Sequence, residues 1–266
     1  SEWRRNYGVI VFAGPSLCDT DFLQGSALEI RPPVRQGDVY LATLEKPKAI
    51  GIIDGYFDGT PSVWHKEILW AMSQGITVLG ASSMGALRAA ELDTLGMIGV
   101  GAIYVDYRDG ILEGDDEVAL AHGPAELGFT RLSVAMVNVR ATLKAAVLAN
   151  VLSRPEAGEL AVRAKNIFFK DRTWESVLSE TDTELNDREY LKAWIAANEV
   201  DQKRIDAGFL LERMITVGLE TPDIDFHFER TDLWVHATRT WKSRQSKSNN
   251  EDSGTYNLLG NTNFLS

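Results

Sequence analysis

The stretch from Ile76 to Leu92 constrains this chain more than any other. Ile76-Thr77-Val78-Leu79 is a short, partly β-branched apolar run that reads as a buried strand, and the Ala- and Leu-rich segment ending at Leu92 reads as a helix. Between them, Ala81-Ser82-Ser83-Met84-Gly85 leaves no room for a loop. A strand that turns so sharply into a helix needs small residues on either side of the bend. Such a turn has the logic of a nucleophile elbow, usually written G-x-S-x-G, with Ala81 in place of the first glycine, Gly85 as the second and Ser83 at the apex. A hydroxyl there is lifted above the sheet, beside the Met84 N–H and a helix N-terminus that favour a developing oxyanion. Small residues at a strand–helix junction also occur for packing alone, so the pattern needs support from elsewhere in the chain.

That support comes from the alternation around it. Tyr7 to Ala13 is a nearly continuous apolar run, as expected of a central parallel strand, and Gly14-Pro15-Ser16 breaks it, with Ser16 placed to cap a helix to about Leu23. Ala27 to Ile30 and Ala49 to Ile53 read as further strands, with a helix capped by Asp38 between them. Thr60-Pro61 predicts the start of a helix with Trp64, Ile68, Ala71 and Met72 on one stripe. Gly96 is placed as a helix C-cap and Ala102 to Val105 as a fifth strand. Strands separated by helices imply right-handed crossovers, hence an α/β fold with a doubly wound, Rossmann-like parallel sheet of about five strands. The texture then becomes helical: Leu132 to Leu152, a segment opened by Pro155, Trp174 to Leu178, Asp187 to Ala197 and Asp201 to Val217. The expected organisation is an α/β core over 1–125, a helical domain over 126–241 and a flexible tail over 242–266, where Ser, Asn and Lys dominate.

Composition narrows the partners. A net charge of −11 argues against nucleic acid or an anionic membrane as the main partner. No apolar run approaches the length of a membrane span, and Ser1 to Arg5 does not read as a signal peptide. The single cysteine, Cys18, excludes a disulfide framework, reads as a small buried hydrophobe and points to a cytoplasmic setting. No P-loop, dinucleotide fingerprint or paired cysteines occur, so neither a cofactor nor a metal is expected. Asp115, Asp116, Glu117 and His122 fit a helix N-terminus and a helix end better than a ligand set.

In an open parallel sheet the site lies beyond the carboxyl ends of the strands. Three loops qualify, each following a strand: Gly14 to Ser16, Asp54 to Phe57, and Ala81 to Met84. A serine nucleophile needs a base, and His65 and Lys66 lie in the first turns of the helix after Asp54. Asp54, His65 and Ser83 follow one known triad order, while Lys66 alone would give a Ser–Lys pair if burial lowered its pKa. Each also has a structural role open to it: Asp54-Gly55 as a turn, His65 on a helix surface, Lys66 and Glu67 on a solvated face. Arg88 can hold an anionic substrate group or pair with Glu91 three residues on.

Several blocks resemble the TfuA family: Val11 to Leu17, Asp54 to Phe57, Val63 to Leu69 and Gly80 to Leu92, with Asp115 to Ala119 and Gln202 to Ala207 as further similar segments. The likeness runs strongly over about residues 8–125 and weakly over the helical half. It implies a role beside YcaO enzymes, which activate peptide amides, in replacing a backbone carbonyl oxygen by sulfur. It further implies a hydrolase that releases sulfide from a thiocarboxylated ThiS-like sulfur carrier protein. The alternative is a non-catalytic subunit that docks on and activates the YcaO enzyme. The family motif residues carry over to Ser83 as candidate nucleophile and to Asp54, His65, Lys66 and Arg88 as site candidates; the catalytic candidates are thus Ser83, Asp54, His65 and Lys66, and the substrate-binding ones are Arg88 with Gly14, Ser16, Ser82 and Met84 from the three loops. Because such carriers are often acidic too, the resemblance requires local charge that differs from the global balance. The peptide substrate and the oligomeric state stay open, a homo-oligomer included.

Overall fold

The computed structural model describes residues 8–17, 28–57, 59–179, 185–216, 221 and 223–258, so Cys18 and the expected helix beyond Leu17 lie outside the described residues. The strands are β1 (Val9–Phe12), β2 (Leu28–Arg31), β3 (Ala49–Ile52), β4 (Thr77–Ala81) and β5 (Ile98–Val100). Between and after them come α1 (Asp38–Thr43), α2 (His65–Ser73), α3 (Met84–Leu92), α4 (Ala102–Arg108), α5 (Met136–Leu148), α6 (Arg154–Asn166), α7 (Trp174–Leu178), α8 (Leu185–Asn198), α9 (Gln202–Thr216) and α10 (Asp232–Leu258).

The five strands form one parallel sheet in the order β2-β1-β3-β4-β5, with Val9 facing Leu28 on one side and Ala49 on the other. The doubly wound α/β reading therefore holds. The chain leaves β1 towards β2 and returns to β3 on the opposite side, which opens a crevice at the carboxyl ends of β1 and β3. The central strands β1, β3 and β4 read as continuous apolar runs because both faces are covered. Ile10, Phe12, Ile50, Ile52 and Val78 meet Val39, Ile68, Met72, Ala89 and Leu92 from α1, α2 and α3. Val9, Val11, Ala49, Leu79 and Ala81 meet Ala207, Leu210, Leu211 and Met214 of α9. An added Cβ at Gly51 would sit 2.6 Å from Met214 Sδ, so β3 and α9 are in direct contact. A helix from the C-terminal half thus supplies the second covering layer. Val139, Leu143, Leu160, Ala164, Val177, Leu178, Leu191 and Ile195 form a separate core among α5 to α8.

Three local expectations are corrected. Ala102 to Val105 is the start of α4, and the fifth strand is Ile98–Val100. The turn lies at Gly101, whose φ of +93° suits glycine. The Asp206 carboxylate from α9 then accepts the Ile103 N–H at 2.8 Å, which stabilises a helix start that no local residue announces. α2 begins at His65, not at Thr60-Pro61, because Glu67 closes the turn by accepting the Trp64 N–H at 3.1 Å. Glu67 is not on a solvated face: it is fully buried, and its other oxygen accepts the N–H groups of Gly37 and Tyr40 at the start of α1.

α10 docks through tryptophans. Trp234 and Trp241 are buried against Tyr40, with ring centroids 5.4 and 5.8 Å away, and Trp241 also meets Trp64 at 5.6 Å. Gly37, at φ +97°, lies under the Trp241 ring, where an added Cβ would come within 2.7 Å. Beyond Trp241 the backbone continues as helix to Leu258, through residues read from sequence as a tail.

Candidate active site

The crevice between β1 and β3 is a cleft of about 370 Å³ lined by Asp54, Gly55, Tyr56, Phe57 and Ser83 from the sheet's carboxyl edge. Pro15, Val118 to His122, Phe169, Lys170 and Lys203 complete its wall.

Asp54 is buried at the end of β3. Its Oδ2 accepts the N–H groups of Gly14 at 2.8 Å and Ser16 at 2.9 Å, and its Oδ1 accepts the Ser16 hydroxyl at 2.6 Å. Gly14 and Ser16 therefore hold the carboxylate rather than a substrate, and Asp54 is more than a turn residue.

The opposite wall is the β4–α3 junction. Gly80 and Gly85 let strand and helix touch: an added Cβ at Gly85 would lie 2.6 Å from the Ile52 carbonyl carbon and closer still to its oxygen. The left-handed residue of the bend is Ser82, at φ +69°, not Ser83. The apex of the elbow is thus one residue earlier than the spacing of Ala81 and Gly85 implied. Ser82 is fully buried with no hydrogen-bond partner for its hydroxyl, and it does not line the cleft. Ser83 does, from the N-cap position of α3, where its side chain makes no capping bond. The Met84 N–H is at the first position of α3 and has no partner within that helix. The Met84 side chain is buried beneath Gly55.

A buried cation of the cleft is Lys203, on the first turn of α9. It is 2% exposed; its ammonium donates to the Val118 carbonyl at 2.7 Å and lies 3.9 Å from Asp54 Oδ1. Burial holds this amine below the ordinary lysine range, outweighing the opposing pull of Asp54 and Asp201. Asn138 of α5 fixes its backbone by accepting the Lys203 N–H at 3.2 Å, and Asp201 caps α9 through the Arg204 N–H at 3.1 Å. His122 is a second basic group on the wall. Its Nδ1 is 2.8 Å from the Gly123 carbonyl, which can only accept, so Nδ1 carries the proton and Nε2 is the acceptor of the neutral ring.

The structure does not bring His65, Lys66 or Arg88 to this cleft. His65 Nε2 is 2.7 Å from Glu91 Oε2, which also accepts from Arg88 Nη1 at 2.7 Å, while Arg88 Nε bonds the Val63 carbonyl. The i+3 pairing of Arg88 with Glu91 is the role it takes. Lys66 donates to the Thr231 hydroxyl at 3.2 Å and lies over the Phe228 ring. All three serve the surface between α2, α3 and the segment before α10. Asp116 and Glu117 are likewise occupied: both bond Lys165, and Arg140 grips Glu117 through two nitrogens. Although burial raises the Glu117 carboxyl, those two cations hold it below the ordinary range.

Residues 54–173 match the family described as TfuA-like protein. The chain carries a TfuA-like domain. The match spans just under half of the chain, from the cleft carboxylate to Thr173, and so takes in Ser83, His122, Phe169 and Lys170. It reaches beyond the strongly similar stretch that ends near residue 125, and it leaves out residues 8–53 and the segment Gln202 to Ala207. Lys203, Gly14 and Ser16 complete the cleft and its carboxylate from outside the matched stretch. Comparison with curated proteins returns no match.

Lys203 is the site residue that sequence reasoning missed. It belongs to a segment similar to the family, but its role had a plainer signal. Positions 203, 206, 207, 210, 211 and 214 repeat at helical spacing and all are buried, so Lys203 and Asp206 are charges on an apolar stripe.

Proposed function

We propose that this protein hydrolyses a thiocarboxylated ThiS-like carrier protein, releasing sulfide for YcaO-dependent thioamidation of a peptide backbone. The observation that carries the reading is one cleft holding a serine at a helix N-terminus, a buried lysine with a lowered pKa and a fully hydrogen-bonded carboxylate. Burial favours the uncharged form of the Lys203 amine, and in that form it accepts the Ser83 proton as Ser83 Oγ bonds to the thiocarboxyl carbon. Negative charge gathers on the acyl oxygen, beside the Met84 N–H and the positive end of α3. The C–S bond breaks and sulfide departs, with the Lys203 ammonium next to it to offset its charge and return the proton. Water, deprotonated by the same amine, attacks the acyl-serine and frees the carrier as a carboxylate. The net reaction consumes one water and yields carboxylate and hydrogen sulfide. Asp54, fixed by Gly14 and Ser16, lies 3.9 Å from Lys203 Nζ and holds Lys203 in place. His122 is the other group able to move these protons.

The test is sulfide release from the thiocarboxylated carrier under single-turnover conditions, with circular dichroism to confirm folding. Ser83→Ala removes the nucleophile and lowers the rate by about three orders of magnitude or more. Lys203→Met lowers it by about 10²–10⁴-fold, whereas Lys66→Ala and His65→Ala leave it within about twofold. Sulfide release by Ser83→Ala at the parent rate would rule out nucleophilic catalysis.

A further inference from the structure

The chain is acidic overall, yet one surface is not. Between Asp232 and Glu251 the sequence of α10 holds Arg239, Lys242, Arg244 and Lys247 and no carboxylate. Trp234, Thr238 and Trp241 take the buried side of the helix, which turns Arg239, Ser243 and Arg244 outwards, and Arg239, Lys242 and Arg244 are exposed. Among the described residues none of these three forms an ion pair with a carboxylate. Arg239, Thr240, Ser243 and Arg244 line a shallow groove on the outer side.

Its position links this surface to the cleft. Trp241 packs on Gly37 and Trp64, the residues that precede α1 and α2, and both helices start at the carboxyl edge of the sheet. Gly37 is three residues from Val34, which bridges to Gly55 on the cleft wall, a span of about 10 Å. α10 runs from Trp70, near the end of α2, to Trp64 at its start, so its continuation past Trp241 leaves the body at the edge where the cleft opens.

We propose that the outward face of α10, centred on Arg239 and Arg244 with Lys242 at its edge over the Tyr40 ring, is the docking surface for an acidic protein partner, and that the partner is the carrier whose C-terminal end enters the cleft. The identity of the partner rests on the function proposed above; the surface does not. Arg239 and Arg244 attract an acidic face over a Debye length, and a partner held there would extend its end past the Val34–Gly37 segment to the cleft wall at Gly55. This gives an acidic protein a local charge opposite to its own average, as the resemblance required.

The experiment measures binding and chemistry separately. Binding of the carrier in its ordinary carboxylate form is followed by calorimetry at low and high salt for the full chain and for an Arg239→Glu, Arg244→Glu variant. Turnover of thioacetate, too small to touch α10, is followed by sulfide release. The expected result is a carrier Kd that rises with salt in the parent and about tenfold or more on charge reversal, with thioacetate turnover unchanged. A Kd within twofold of the parent, or no carrier binding by the parent, overturns the docking surface. Tighter binding of a duplex DNA oligonucleotide than of the carrier overturns it as well. Weakened carrier binding with no sulfide from either substrate leaves the surface standing and removes the proposed function.

Discussion

Replacing Gly85 by alanine tests the packing on which the site depends. The added Cβ would lie 2.6 Å from the Ile52 carbonyl carbon, and the Gly85 carbonyl itself presses on Gly80, so the neighbours are backbone on both sides. No side chain can rotate away; α3 must lift off β3 by more than an ångström. That movement stretches the Gly85 N–H bond to the Ile53 carbonyl, now 3.2 Å, which is worth about 1 kcal/mol. Overpacking adds about 1–3 kcal/mol, so the substitution costs about 2–4 kcal/mol. For a chain of this size each kcal/mol shifts the melting midpoint by about 2–4 °C, which gives a fall of about 4–16 °C by circular dichroism. The same change at Gly158, in α6 with nothing near its Cβ position, is the control. It removes only glycine's backbone freedom and raises stability by about 0.5–1 kcal/mol. Because Ser83 begins the displaced helix, the Gly85 variant also loses sulfide release ahead of global unfolding. A melting midpoint for Gly85→Ala within 2 °C of the parent would refute the close approach of β3, β4 and α3.

The remaining predictions address the buried acid and the docked helix. Burial pushes the Glu67 carboxyl up to about 7, against the N–H groups of Gly37, Trp64 and Tyr40. Its folded pKa exceeds its unfolded one, so its contribution is fully present below about 4.5 and is lost as pH rises to about 7, at about 1.4 kcal/mol per unit. Denaturant unfolding should therefore show the stability gap between parent and Glu67→Gln shrinking by about 2–3 kcal/mol from pH 5 to pH 8; a gap constant with pH refutes it. Trp241→Ala should cost about 3–5 kcal/mol through the lost packing on Tyr40, Trp64 and Trp234. A chain ending after Trp241 should keep its melting midpoint within a few degrees, and a large drop would show that the residues beyond it dock as well.

Most of the sheet was legible because its strands are buried on both faces, and continuous apolar runs with Gly or Pro at their ends have few other readings. Ala102 to Val105 failed for a reason of the same kind. Four apolar residues are too few to separate strand from helix, and what decides between them is Asp206, more than 100 residues away, reaching the Ile103 N–H. Glu67 closed a helix start that Thr60-Pro61 had seemed to announce, because a capping carboxylate can act on two helices at once when it is buried between them.

His65 and Lys66 lie away from the cleft for a deeper reason. Proximity along the chain pointed to His65 and Lys66, which follow Asp54 closely and do lie near the carboxyl edge. A helix that starts at that edge still turns its residues through the full circle, and the inner side of α2 belongs to Glu67, Ile68, Ala71 and Met72. His65 and Lys66 therefore face outwards. A buried cation reaches the cleft from a helix lying across the other face of the sheet. α9 provides one because Lys203 occupies the place on its apolar stripe where the sheet ends and the crevice begins. A lysine in that position costs desolvation that an aliphatic residue would avoid, and Asp54 offsets only part of it. A charge on an apolar stripe is therefore the sequence signal to weigh above nearness to the nucleophile. Lys203→Met decides whether that reasoning holds: it should remove the desolvation cost and leave the chain folded, while sulfide release falls.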